Sequence, residues 1–525
     1  MLDIKLLNAK IYDGTGRDFY ISDIGIIGDK IAEIGNLKDA SAQTVLDVDG
    51  LSVFPGIIDS HTHSDIALIN SPERHEAIKQ GITCEIISSC GIGAVPLSDN
   101  RAYLKTVEAV SGYPERAFDS SSVAAYSSEL SKNGTAVNVG IALAHSPLRA
   151  EAYGLSDISP SKEQKDKLLR LADEAFSQGA CAFTTGLAYY PASFSDTEEI
   201  IEIGKIAAKY DVPICVHQRT ALRDTSLSFN SREEVLDFGR GSGARVHYSH
   251  YRTTPKTAGG LNELLEPIER GISEGLRVTA DFYPYQIGSG YLPVFLPFGV
   301  MDSDTDTILE KLTDSRCSAK IKKAFSEKAV LSSDSIITEV SKNTELLGKS
   351  FEEAAADSGK SVTDFMYDLL IDERLNVGYR LNADFDKESL EKLELDFIEL
   401  IKKPYYMVGS DTLPLNKNPH PRSYGAIARM FPLARRHGLD LKILANRMCS
   451  NPAKLFGLKQ RGEILKNNFA DIIVFDENAL SDTATFKNPK KYSDGMKHVI
   501  VNGQFALKDG EFTNILSGRA LKCEN

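Results

Sequence analysis

No stretch of the chain reaches the ~18 consecutive apolar residues that a membrane-spanning helix needs. An excess of positive charge is also missing. Acidic residues number 73 against 60 lysines and arginines, for a net charge of -13. That balance argues against a nucleic-acid binder or a protein drawn to anionic membranes. It leaves room for a local basic pocket that takes a small anion. A disulfide framework is absent too: the seven cysteines (84, 90, 181, 215, 317, 449 and 523) are odd in number and scattered. Such a pattern points to a reducing, cytoplasmic compartment. Met1-Leu-Asp-Ile-Lys5 carries an early acid and no basic leader before an apolar stretch, so no secretory signal is read there.

What is present is ordinary for a large globular protein: 525 residues, 42% hydrophobic and 25% charged. Both ends read as short strands and turns, and the middle alternates strand and helix. Candidate strands are Val53–Ser60, Thr83–Ser89, Ala136–Ala144, Ala180–Thr185, Pro213–His217, Arg245–Ser249, Arg277–Tyr283 and Tyr405–Gly409. Lys165–Gln178 and Asp196–Tyr210 are amphipathic helical stretches, the second opened by an aspartate cap. Eight strands separated by helices suit an α/β protein with a distorted (β/α)8 TIM-like barrel. The expected organisation is a small β-sandwich from residues 1–54 and 458–525 and a barrel over 55–457. Residues 286–404, too long for a loop, form an inserted, lid-like subdomain after strand seven.

Chemistry gathers at the predicted strand ends. His61 and His63 follow the run Leu51-Ser-Val-Phe-Pro-Gly-Ile-Ile-Asp-Ser, and residues i and i+2 of a strand share a face. Strand two ends at Cys90, strand five at His217, strand six at His250 and strand eight at Asp411. Imidazole, thiolate and carboxylate together suit zinc. Each residue has a bland alternative, such as a buried thiol, a core histidine or a turn-capping aspartate. Chance placement of all of them at strand ends is far less plausible than any single coincidence. His247 reads as structural or as support for a ligand, and His145 as a contact to ligand or substrate. His75, His437 and His498 read as surface residues; His420, close to Asp411, stays open as a supporting residue.

These residues resemble the amidohydrolase superfamily and, within it, the D-aminoacylase (N-acyl-D-amino-acid deacylase) family. The likeness rests on Pro55-Gly-Ile-Ile-Asp-Ser-His-Thr-His63, Ser89-Cys90-Gly91, Thr184-Thr-Gly-Leu-Ala-Tyr-Tyr-Pro191, Gly409-Ser-Asp411 with Pro419-His-Pro-Arg422, and Arg461-Gly-Glu-Ile464. The resemblance implies hydrolysis of N-acyl-D-amino acids, small-molecule substrates, by a zinc enzyme. It implies one tight zinc on Cys90, His217 and His250, and a second, weaker position facing His61, His63 and Asp411. Asp411 would move the proton, and Arg252, Tyr283 and Arg422 would hold the substrate's α-carboxylate. Tyr283 and Tyr285 share a strand face, so either could point inward. The sequence departs from the family at Gln218, Arg252 and Thr412, where methionine, lysine and glycine are usual.

The uncharged run from Ile287 to Phe298 either lines the side-chain pocket, favouring neutral or apolar D side chains, or is core of the insert. Two rivals remain: a dihydroorotase- or hydantoinase-like cyclic-amide hydrolase, and a non-catalytic scaffold. Cys90 and the Thr184–Pro191 signature speak against the first, and the complete ligand set against the second.

Overall fold

The computed structural model describes residues 1–98, 101–219, 230–297, 299–328 and 331–523. Its centre is a ring of eight short parallel strands: β1 (Ile57–Asp59), β2 (Ile82–Ile87), β3 (Asn138–Ile141, continued by Leu143–Ala144), β4 (Phe183–Gly186), β5 (Ile214–His217), β6 (Val246–Tyr248), β7 (Val278–Phe282) and β8 (Tyr406–Val408). Almost every residue in them is buried, as expected for parallel strands covered on both sides. The ring closes between β8 and β1, where Asp411 N donates to His61 O at 2.8 Å and Thr62 bridges Thr412. A Cβ on Gly409 would fall 2.5 Å from His61 Cβ, so only glycine lets these two strand ends approach.

The helices used below are α1 (His145–Tyr153), α2 (Lys162–Ser177), α3 (Thr197–Lys209) and α4 (Lys387–Lys402). A capping box starts α2, with Ser161 and Gln164 satisfying each other's backbone. Its buried face is Leu168, Ala172, Ala175 and Phe176, the spacing of one helical stripe. Asp196 caps α3 by accepting from Glu199 N. Among the described residues no helix is long and apolar enough to cross a membrane.

Strands from both ends of the chain form one nine-stranded sheet. Ser52–Pro55 pairs antiparallel with Ile472–Phe475, joining the N-terminal strands to the C-terminal ones around Leu6, Ile24, Val53, Ile472 and Ile500. The short strand Ala520–Leu521 is not part of this sheet. It pairs in parallel with β3, and Cys523 N donates to Gly179 O just ahead of β4. The far end of the chain is thereby built into the barrel wall.

After β7 the chain leaves the barrel and makes a three-stranded antiparallel sheet of Ser289–Tyr291, Ile336–Glu339 and Gly378–Arg380. The final helix of the segment expected as an insert, α4, instead lies on the barrel: Phe397 stacks on Phe282 of β7 at 5.5 Å. The excursion over the barrel mouth is therefore shorter than 286–404. Phe298, the last residue of the uncharged run, lies outside the described residues.

Candidate metal centre

Six donor side chains converge at the C-terminal rim of the barrel. Cys90 Sγ stands 3.3 Å from His61 Nε2, 3.4 Å from His250 Nε2 and 3.6 Å from His217 Nδ1. His217 Nδ1 and His250 Nε2 are 2.8 Å apart. Asp411 Oδ1 lies 3.3 Å from His63 Nε2 and 3.5 Å from His61 Nε2. Two overlapping donor groups result, His61–Cys90–His250 and His61–His63–Asp411, with His61 common to both.

The backbone is bent to bring them there. Cys90, His250 and Asp411 all take left-handed conformations, with φ of 54°, 39° and 52°. Each costs about 1–3 kcal/mol for a residue other than glycine. Glycines absorb the crowding alongside. A Cβ on Gly186 would sit 2.1 Å from Cys90 O, so the loop after β2 can lie on the end of β4 only because Gly186 has none.

Asp281, inside β7, orients the cluster, and sequence reasoning missed it. Its Oδ1 accepts from His250 N at 2.5 Å, while Oδ2 faces His61 Nδ1 at 3.2 Å and His247 Nε2 at 2.9 Å. With its proton on Nδ1 toward this carboxylate, a neutral His61 would present the Nε2 lone pair on the side of Cys90. Burial would push the Asp281 carboxyl up, but His61 and His247 outweigh it and hold it below the usual range. The available signal was a lone acid in the otherwise uncharged run Val278–Phe282.

The donor set fits zinc. Burial, then the neighbouring imidazole, holds His217 well below the ordinary histidine value, and burial takes His250 down to about 4. Both are therefore neutral at physiological pH, the form of imidazole that can bind a metal. Burial raises the Cys90 thiol against the opposing pull of His61, while Asp281 and Cys90 outweigh burial and raise His61 well above the ordinary histidine range; three imidazole nitrogens thus crowd one sulfur. Zinc bonds of about 2.0–2.3 Å would separate tetrahedral donors by roughly 3.3–3.8 Å, close to the sulfur–nitrogen distances here.

A cavity of about 270 Å³ opens onto His63, Cys90, His217, His250 and Asp411. Arg422 and Tyr283 line it; Arg252 and Tyr285 do not. Arg422 Nη1 pairs with Asp411 Oδ2 at 2.7 Å, and its guanidinium lies 4.6 Å from the Tyr283 ring centre. Arg252 stands behind this wall: its guanidinium stacks on Tyr283 at 4.3 Å and donates to the carbonyls of Thr253 and Ile287. Tyr285 points away, with its hydroxyl 3.3 Å from Asp482. His420 Nδ1 accepts from Arg422 N at 3.0 Å and so braces the arginine. His145 is held by Thr185 and Glu199, outside the cavity, and His498 is buried rather than on the surface. Tyr189, unassigned from sequence, lines the cavity with its hydroxyl 3.4 Å from His217 Nδ1.

Residues 370–506 match the model of the Amidohydrolase family. The chain is 30% identical over 523 residues to a D-aminoacylase of Alcaligenes xylosoxydans xylosoxydans, covering 99% of this chain and 97% of that protein. Among solved structures it is similar to N-acyl-D-glutamate deacylase from Bordetella bronchiseptica, complexed with zinc and a phosphonate that mimics the reaction's tetrahedral intermediate. That match has a TM-score of 0.82 and 28% identity, over 99% of each chain. It is also similar to a D-aminoacylase with a binuclear metal centre, at TM-score 0.81 and 28% identity, over 99% of this chain and 100% of the other.

Proposed function

We propose, for a chain that belongs to the D-aminoacylase family of the amidohydrolases, that it is a zinc-dependent hydrolase of N-acyl-D-amino acids, releasing a D-amino acid and a carboxylate. The observation that carries this is the convergence of Cys90, His217 and His250 beside Asp411 and Arg422 in one cavity. Zinc held by Cys90, His217 and His250, with a second, weaker position at His61, His63 and Asp411, would supply an acidified water and a Lewis acid at the amide carbonyl. Seven cysteines, none in a disulfide, favour a reducing, cytoplasmic compartment.

The chain's own residues supply the rest. Burial would raise the Asp411 carboxyl, but Arg422 outweighs it and keeps the group ionised. Asp411 is thus ready to accept a proton and pass it to the departing nitrogen. Arg422 and Tyr283 form the clamp for the α-carboxylate, with Arg252 and His420 behind them. A substrate carboxylate that engages Arg422 draws the counter-charge away from Asp411 and raises its proton affinity. Binding and proton transfer are linked through that one guanidinium. Arg422→Ala is expected to raise KM for N-acetyl-D-leucine about 10- to 100-fold, and far more than for the corresponding neutral amide. Equal effects on both substrates, in steady-state kinetics, would remove Arg422 from the clamp.

The remaining walls of the cavity are Ile92, Val110, Val294, Leu381 and Leu413, with tyrosines and glycines between them. Among the described residues no charged side chain other than Asp411 and Arg422 lines it. A second carboxylate on the substrate would be buried without a partner, which costs about 2 kcal/mol or more. The enzyme therefore prefers neutral or apolar D side chains. A stereochemically paired screen of N-acetyl amino acids with zinc present, read by amine release, tests both parts. We expect D over L, and kcat/KM for N-acetyl-D-leucine above that for N-acetyl-D-glutamate by about thirtyfold or more. No amine release from any D substrate would overturn the activity, and a preference for glutamate would overturn the side-chain assignment.

A further inference from the structure

A second cavity of about 210 Å³ lies among α1, α2, α3 and the turn that leads into α3, and it shares no lining residue with the metal-site cavity. Three of its features are complementary to a single class of molecule. Arg149 of α1 has a side chain only 3% exposed. Its Nη1 is committed to Glu199 of α3, with Oε2 at 2.5 Å, yet its buried Nε has no acceptor. Glu199 is occupied in turn by Arg149 and by His145 Nε2 at 2.9 Å. Glu198, exposed on α3, makes no close ion pair among the described residues, although Lys205 feels its charge, and Lys165, Asp157, Asp196 and Glu202 complete the charged lining. Leu168 and Leu169 of α2, with Phe194, form an apolar wall.

A buried guanidinium nitrogen without an acceptor asks for an anionic oxygen. A free carboxylate at the rim asks for a cation, and the wall for a short hydrocarbon. We propose that this cleft binds a free α-amino acid with an apolar side chain, its carboxylate on Arg149, its ammonium on Glu198 and its side chain on Leu168, Leu169 and Phe194. The volume suits a single amino acid. On the proposed activity, such a molecule is the product, so the cleft is a product site distinct from the catalytic one; that role rests on the deacylase reading, whereas the binding itself does not. The two cavities share one stretch of chain. The segment leaving β4 places Tyr189 against His217, and five residues later Phe194 lines the cleft, with the Tyr190 ring 5.2 Å from it.

Equilibrium dialysis of the full-length zinc-loaded protein against labelled D-leucine tests the site, with isopentylamine as a probe lacking the carboxylate. The variants are Leu169→Trp, which fills the cleft, and Glu198→Lys, which reverses the rim charge; neither touches the metal site. Expected are a leucine site weakened about tenfold or more in both variants, unchanged kcat in both, and no competition by isopentylamine. Leucine binding unaltered in either variant would overturn the proposal. Failure of the deacylase reading would show separately, as variant-sensitive leucine binding in a protein that releases no amine from N-acyl-D-amino acids.

Discussion

Asp411→Asn is expected to fold and to keep its tight zinc while losing turnover by about 10²–10⁴-fold, the range general acid–base catalysis usually contributes. The amide preserves the shape of the side chain and can still face His63 and His61, which lie 3.3 and 3.5 Å from Oδ1 in the wild-type site. It has no carboxylate to take the proton and return it to the leaving nitrogen. The substitution also strips Arg422 of its buried counter-ion, so a modest loss of thermal stability should accompany the loss of rate. Zinc analysis, circular dichroism and kcat on the same preparation separate these effects. A kcat near the wild-type value with zinc retained would move the proton-transfer role to another group.

Cys90→Ala is expected to lower bound zinc from about one equivalent to a trace, and activity with it, because affinity should fall by more than about a hundredfold. Cys90 Sγ lies within 3.6 Å of donor nitrogens on three histidines. Its removal therefore disrupts the group around Cys90 and leaves His61, His63 and Asp411 in place. His61→Ala provides the contrast. It removes the donor shared by both groups but spares the thiolate, so it should retain more zinc than the cysteine variant. Metal analysis after dialysis against a chelator reads the difference. Full zinc retention by Cys90→Ala would sink the assignment of the tight position.

Most of the barrel was legible because its strands are short apolar runs that end in unusual residues. His61, His63, Cys90, His217, His250 and Asp411 each stood out against such a background, and the structure brings all six together. Less legible were the features that depend on contacts across strands. Asp281 became important only through three partners on the ends of β1 and β6. Arg252 and Arg422 look alike in sequence and both stack on Tyr283, yet only Arg422 lines the cavity. Nor does any local pattern announce left-handed backbone at Cys90, His250 and Asp411. That geometry is imposed by neighbouring strand ends, and it runs against the preference of each residue.

The short strand Ala520–Leu521 also bears on how the molecule assembles. Arg519 N donates to Asn138 Oδ1 across a separation of 381 positions, at the point where the strand enters the barrel wall. The entropic cost of closing a loop grows only slowly with its length, but topologies rich in such distant contacts fold slowly. Until the distant segment docks, the lower half of β3 presents unpaired backbone, the kind of open edge that recruits other chains. The barrel wall is thus closed on this side only where the distant segment is docked.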